Sequence, residues 1–130
     1  VNCGASFITT QLFYDNQHFF AFLKRCQKAG IQVPIIPGIM PALSLKQVRR
    51  FCSLCESTLP EELEEKLKAA GSDENAVRHV GIDWAYKQIK ELIEHGVKGI
   101  HLYILNQSYS MLALIKQLTA NGILVRTNYK

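Results

Sequence analysis

Three short, nearly unbroken apolar runs, set apart by amphipathic stretches, constrain this 130-residue chain more than any other feature. The runs are Phe7 to Phe13 (F-I-T-T-Q-L-F), Gln32 to Ile36 with its V-P-I-I, and Gly99 to Leu105 (G-I-H-L-Y-I-L). Each is rich in β-branched or aromatic residues and lacks a clean apolar–polar alternation. That is the pattern of parallel strands covered by helices on both faces.

Between the runs, apolar residues return every three or four positions, the period of a helix. Asp15 caps the first predicted helix, which carries Phe19, Phe20, Leu23 and Cys26 on one face and stops at Ala29, before Gly30. Pro37, Gly38 and Pro41 are expected to end the second strand in a stiff loop. Ser44 opens a second helix with Gln47 three residues on, a capping-box pattern. Its apolar stripe is Val48, Phe51, Cys52 and Cys55. Pro60 suits the first turn of a third helix, closed by Gly71. Ser72, Asp73 and Glu74 start a long helix with Val77, Val80, Trp84, Ile89, Leu92 and Ile93 inward, closed by Gly96. Ser108 caps a last helix carrying Met111, Leu112, Ile115 and Leu118 as far as Asn121-Gly122, and Ile123 to Arg126 reads as a short extended tail.

The order is therefore strand, helix, strand, three helices, strand, helix. Such alternation implies an α/β fold with parallel strands and right-handed crossovers. Three strands allow a small open sheet, or less than half of an eight-stranded barrel, which takes about 250 residues. Periodicity alone does not choose between them.

A 48% apolar and 20% charged composition is that of a packed domain, not a disordered one. The net charge of +4 comes from scattered Lys and Arg without a clustered face, so nucleic acid is not an expected partner. No apolar stretch is long enough to span a membrane, and no signal-peptide pattern opens the sequence. Of the four cysteines (Cys3, Cys26, Cys52, Cys55), the last two form C-S-L-C. No second pair or suitably spaced His accompanies them, so no metal is expected. A redox CxxC belongs at a helix start after a strand, whereas this one falls late in a helix. Buried or half-buried thiols are the favoured reading, and reduced thiols fit a cytoplasmic compartment.

In a parallel α/β fold, sites lie at the C-terminal strand ends. That rule selects Thr10-Gln11 with Asp15, the Pro37-to-Ser44 loop with the helix beyond it, and Leu105-Asn106-Gln107. An amide in a run as apolar as I-T-T-Q-L-F needs partners, so Gln11 either bonds neighbouring backbone or faces a heterocycle with one acceptor and two donors. Gln47 is explained by helix capping, and Phe51, one turn on, by core packing. The functional alternative has the two sharing a helix face beside the strand ends, one giving a hydrogen bond and the other a stacking surface. His101 and Tyr103 share a strand face, where a satisfied core histidine is favoured over a catalytic one. Trp84 reads as core, and the acidic run Glu61 to Glu65 as a solvated helix face.

Three stretches together resemble the methylenetetrahydrofolate reductase family: I-T-T-Q-L-F-Y-D (residues 8–15), V-P-I-I-P-G-I-M-P (33–41) and H-L-Y-I-L-N (101–106). S-L-K-Q-V-R-R-F (44–51) and V-G-I-D-W-A (80–85) fit the same pattern, and the similarity runs to about Leu118. The resemblance implies a partial (β/α)8 TIM barrel, with residues 1–130 a single partial domain supplying its last three parallel strands and their helices. It implies an FAD enzyme that passes a hydride from NAD(P)H to the flavin and then to 5,10-methylenetetrahydrofolate, giving 5-methyltetrahydrofolate. Gln11 then contacts both the pterin and the nicotinamide carboxamide, Gln47 contacts the folate, and Phe51 packs on the folate's aminobenzoyl ring and on the dinucleotide. The family has L-N-R after the last strand, its arginine meeting the folate carboxylate. Here Gln107 stands in that position among the folate-binding residues, and a neutral amide makes no charge-assisted bidentate pair. No catalytic residue is carried over: the family's general acid and its flavin-side aspartate are expected upstream of Val1, so the 130-residue chain alone is expected to be inactive. The full-length protein is expected to be a homo-oligomer. The alternative is a non-catalytic binding or interaction module derived from such a barrel.

Overall fold

The computed structural model describes residues 3–105 and 108–124. In chain order the elements are β1 (Ile8–Leu12), α1 (Asn16–Lys28), β2 (Ile35–Ile39), α2 (Leu45–Leu54), α3 (Glu61–Ala70), α4 (Glu74–Glu94), β3 (His101–Leu102) and α5 (Ser108–Ala120). The strands form one parallel sheet in the order β1-β2-β3, as the alternation requires.

Local chemistry sets most of the helix ends. An Asp15 carboxylate oxygen accepts from the Gln17 amide at 2.9 Å, and an Asp73 oxygen accepts from Asn75 and Ala76, each meeting amide donors that a helix start leaves free. Only half of the expected capping box forms at α2. Ser44 Oγ accepts from the Gln47 amide at 3.1 Å, but the Gln47 side chain does not reciprocate.

The second strand is displaced from its expected position. It runs Ile35–Ile39 rather than ending at Ile36, so Pro37 and Gly38 lie inside a central strand. Proline is normally confined to sheet edges because it cannot donate to the ladder. Here the neighbouring strand absorbs the defect. Thr9 pairs with Ile36 and Leu12 with Gly38, so Thr10 and Gln11 together oppose Pro37. This is a β-bulge, one extra residue on β1 where β2 has no donor. The Gly38 amide donates to Thr10 Oγ1 at 3.0 Å instead of to main chain. A Cβ on Gly38 would lie 2.7 Å from the Thr10 carbonyl oxygen and 2.6 Å from the Tyr103 ring, so only glycine allows this approach.

Two apolar clusters hold the layers together. Phe13, Phe19, Ile39, Ala85, Ile89, Leu92, Met111, Leu114 and Leu118 join the sheet to α1, α4 and α5. The Phe13 and Phe19 rings stack at 5.5 Å. The second cluster lies over the C-terminal strand ends, where Leu12, Tyr14, Met40 and Ala42 meet Val48 and Cys52 of α2, Leu63 and Leu67 of α3, and Val77 of α4. Ile89, Leu92, Leu114, Leu118 and Leu63 are wholly buried, each worth about 1.5–3 kcal/mol by area.

Three expectations need correction. The third strand is regular only over His101–Leu102, not over Gly99 to Leu105, because it pairs only with Gly38 and Ile39, where β2 ends. His101 is exposed, not a core histidine, and its ring meets Tyr103 edge-on at 4.5 Å. Leu112 and Ile115 are not core residues. The inward stripe of α5 is Ser110, Met111, Leu114 and Leu118, which turns the other two outward to 57% and 36% exposure. The expected tail from Ile123 to Arg126 falls partly outside the described residues. No helix among the described residues is long and apolar enough to cross a membrane.

Candidate functional site

The bulge determines what Gln11 does. Its neighbours turn inward: Thr10 Oγ1 accepts from Gly38, the Thr10 carbonyl accepts from the Tyr103 hydroxyl at 3.0 Å, and Leu12 is buried. Gln11 itself points out to solvent. Its Oε1 accepts from the Leu12 amide at 3.1 Å, which leaves the Nε2 donors without a partner among the described residues. The first reading of this amide is the one observed, since adjacent backbone holds its oxygen, while its donors face outward.

Gln11 lines a cleft of about 350 Å³. One wall is β1 with Phe13, Phe19 and Phe22, and the other is the end of α2 with Cys55, Glu56 and Ser57. The volume lies within the 300–1,000 Å³ of small-molecule sites, and the mainly apolar surface also carries polar groups from Thr9, Thr10, His18, Glu56 and Ser57. Phe51 lies one turn before Cys55. It is half-buried and packs on the cluster that contains Leu12, the residue after Gln11. Gln47 lies one turn further back on the same helix face. Its Oε1 is buried and has no hydrogen-bond partner among the described residues. A buried acceptor left unpaired costs about 1–3 kcal/mol, and helix capping does not account for it. Neither Phe51 nor Gln47 is among the residues that line the Gln11 cleft, and no hydrogen bond joins the two amides among the described residues.

The family profile for methylenetetrahydrofolate reductase matches residues 1–119. The chain belongs to this family. Methylenetetrahydrofolate reductase (NADH) 1 of Arabidopsis thaliana is 37% identical over 118 residues, covering 91% of this chain and 20% of that protein. The probable methylenetetrahydrofolate reductase (NADPH) of Caenorhabditis elegans is 32% identical over 118 residues, covering 90% of this chain and 18% of its own length. The 5,10-methylenetetrahydrofolate reductase of Escherichia coli K12 is 34% identical over 108 residues, covering 83% and 36%. The chain therefore spans about a fifth to a third of these relatives. Among solved structures, a Clostridium thermocellum protein described as binding two copies of 5-methyl-5,6,7,8-tetrahydrofolic acid superposes with a TM-score of 0.56 at 20% identity. It covers 92% of this chain and 45% of its own, and the likeness concerns the fold.

Methylenetetrahydrofolate reductases are oxidoreductases, and the barrel segment represented here is three parallel strands with their helices. Gln107 lies outside the described residues. Trp84 is half-buried and its indole N–H donates to the Tyr14 carbonyl at 3.0 Å, as a core tryptophan's should. The acidic run is a solvated face: Glu62 pairs with Lys66, and Glu64 with Arg49 and Lys68. Two features escaped the sequence: the bulge opposite Pro37, and the buried Tyr14 in the same cluster as Cys52. A proline followed by glycine inside an apolar run was the available sign of the first. Nothing local announces the second, because 38 positions separate Tyr14 from Cys52.

Proposed function

We propose that this segment is the C-terminal part of the catalytic barrel of a methylenetetrahydrofolate reductase and supplies contacts to the folate and to the nicotinamide. The assembled enzyme would use FAD and NAD(P)H to reduce 5,10-methylenetetrahydrofolate to 5-methyltetrahydrofolate. The observation that carries this reading is the bulge that turns Gln11 outward over an apolar cleft. The outward Nε2 can donate to the edge of a pterin, or to a carboxamide oxygen when the nicotinamide occupies the same place. Phe51 offers a flat apolar face to an aromatic ring, and Gln47 an acceptor that still lacks its donor. Gln107 takes the position of the arginine that meets the folate carboxylate and would give a weaker, uncharged contact there.

The residues of this segment fit the ring-binding end of these ligands better than the flavin's diphosphate. The Gln11 cleft has no Lys or Arg among its lining residues, and a diphosphate calls for cations or a nest of amides. The flavin supplies hydride transfer, and this chain's own part is to orient what lies against it. The purified 130-residue chain is accordingly expected to carry no flavin and to show no turnover. Flavin absorbance that stays with the chain through gel filtration would contradict this.

A second test separates ligand binding from helix capping at Gln47. In the longer protein expected to contain this segment, Gln47→Leu should weaken folate binding by about tenfold or more, the loss of one buried hydrogen bond. It should also raise unfolding stability by about 1 kcal/mol, because the unpaired acceptor is gone. Unchanged folate affinity in titration would return Gln47 to a structural role.

A further inference from the structure

The C-S-L-C pair has no part in the function proposed above, yet its surroundings are not those of inert core thiols. Cys52 lies in the last turn of α2 at 7% exposure, and Cys55 is the residue on which that helix stops. Cys55 is half-buried and lines the Gln11 cleft, so a reagent in the cleft meets it first. The next residue, Glu56, adopts φ 49°, a left-handed turn that releases the chain from the helix. Beyond the Cys55 N–H to Phe51 O bond and the Ser57 N–H to Cys52 O bond, each 2.9 Å, little regular structure holds the turn. Residues three apart on a helix have Cβ atoms about 5–6 Å apart, and a disulfide needs about 3.5–4.5 Å. A helix end can close that gap by tightening, where a helix interior cannot.

Tyr14 is the second, independent observation. It is 1% exposed, its hydroxyl has no hydrogen-bond partner among the described residues, and it packs in the same buried cluster as Cys52. Burial, then the charges of Cys52 and Cys55, keep this phenol protonated far above neutral pH. It is therefore a standing donor with no acceptor, in the cluster that holds the sulfur that must become an anion. Burial pushes the Cys52 thiol up, the nearby Ser57 hydroxyl partly offsets this, and the charge of Cys55 adds to it. Unaided, Cys52 would react slowly.

We propose that Cys55 and Cys52 are a thiol–disulfide pair, with Cys55 the entry thiol, Cys52 the resolving thiol and Tyr14 the hydrogen-bond donor to the Cys52 thiolate, and that the oxidant is a low-molecular-weight disulfide of the glutathione class. Cys55 thiolate attacks one sulfur of glutathione disulfide, forming a mixed disulfide and expelling one glutathione thiolate. Cys52 gives up its proton to solvent and attacks the Cys55 sulfur, forming the Cys52–Cys55 bond and expelling the second glutathione thiolate. The two protein thiols lose two electrons and two protons, and one glutathione disulfide becomes two glutathiones. A ring this small is strained, which makes the bond easily reversed and sensitive to the glutathione poise. It would also draw in the turn that forms one wall of the Gln11 cleft.

The experiment treats the reduced chain with glutathione disulfide and follows intact mass with peptide mapping, which needs no folate or flavin and so stands apart from the reductase reading. The expected product has lost two hydrogens, maps to Cys52–Cys55 and reverts with dithiothreitol. Cys55→Ser should abolish it and leave buried Cys52 unmodified. Tyr14→Phe, which keeps the packing and removes only the hydroxyl, should slow closure by roughly tenfold, the worth of one hydrogen bond to a charged group, without slowing formation of the mixed disulfide. A glutathionyl group that remains on Cys55 without closing, or reaction confined to exposed Cys3, would overturn the proposal. Unaltered closure in Tyr14→Phe would remove the role given to the phenol.

Discussion

Gly81→Ala is expected to destabilise the chain by roughly 3 kcal/mol or more. Gly81 is buried in the middle of α4, packed against the loop that follows β2. A Cβ there would stand 1.9 Å from the Ala42 carbonyl oxygen and 2.8 Å from its carbon. These are backbone atoms, so no side-chain rotamer relieves the clash. Either α4 or the loop must move, and the loop leads directly into Ser44 and α2. Alanine is the better helix former by about 1 kcal/mol, so propensity argues for the substitution and packing against it. Packing wins because the overlap exceeds an ångström. In thermal unfolding followed by circular dichroism, the midpoint should fall by about 10 °C. A midpoint equal to or above that of the parent would show that α4 does not press on the β2–α2 loop as described.

Gln11→Ala should have the largest functional effect, a loss of about a hundredfold in kcat/KM for the enzyme that contains this segment. The figure follows from two hydrogen bonds worth about 1–1.5 kcal/mol each. Stability should change by less than about 0.5 kcal/mol, because the side chain is exposed and its one bond is to adjacent backbone. Because one amide is proposed to serve both ligands, oxidation of NAD(P)H and reduction of the folate should both slow. Rapid-mixing measurement of each half-reaction checks this. A defect in only one of them would mean that the amide serves a single ligand.

Much of the framework was readable because its causes are local. Asp15, Ser44, Asp73 and Gly71 mark helix ends through bonds or angles confined to a few residues. The apolar runs revealed that three strands exist and placed β1, but they set β2 too early and β3 too long. What misled was the P-G inside the second run. Read alone, Pro37 ends a strand, and only the extra residue on β1, twenty-six positions earlier at Gln11, shows how a central strand accommodates it. The outward turn of Leu112 and Ile115 was hidden for a similar reason, since an apolar residue on a helix does not reveal which face its neighbours cover. At the site, Gln11 stood out because an amide is costly in an apolar run. The half-formed capping box at Gln47 is set by side-chain geometry, which residue spacing does not fix.

The small loop of bonding that Gln11 makes with Leu12 has a bearing on selectivity. With its oxygen already engaged by main chain, the amide greets a visitor with its nitrogen. A compound presenting a carbonyl can be received at once, whereas one presenting only N–H must first prise the oxygen away, forfeiting about 1 kcal/mol. A single tethered amide can in this way rank its guests by the polarity of the edge they turn toward it.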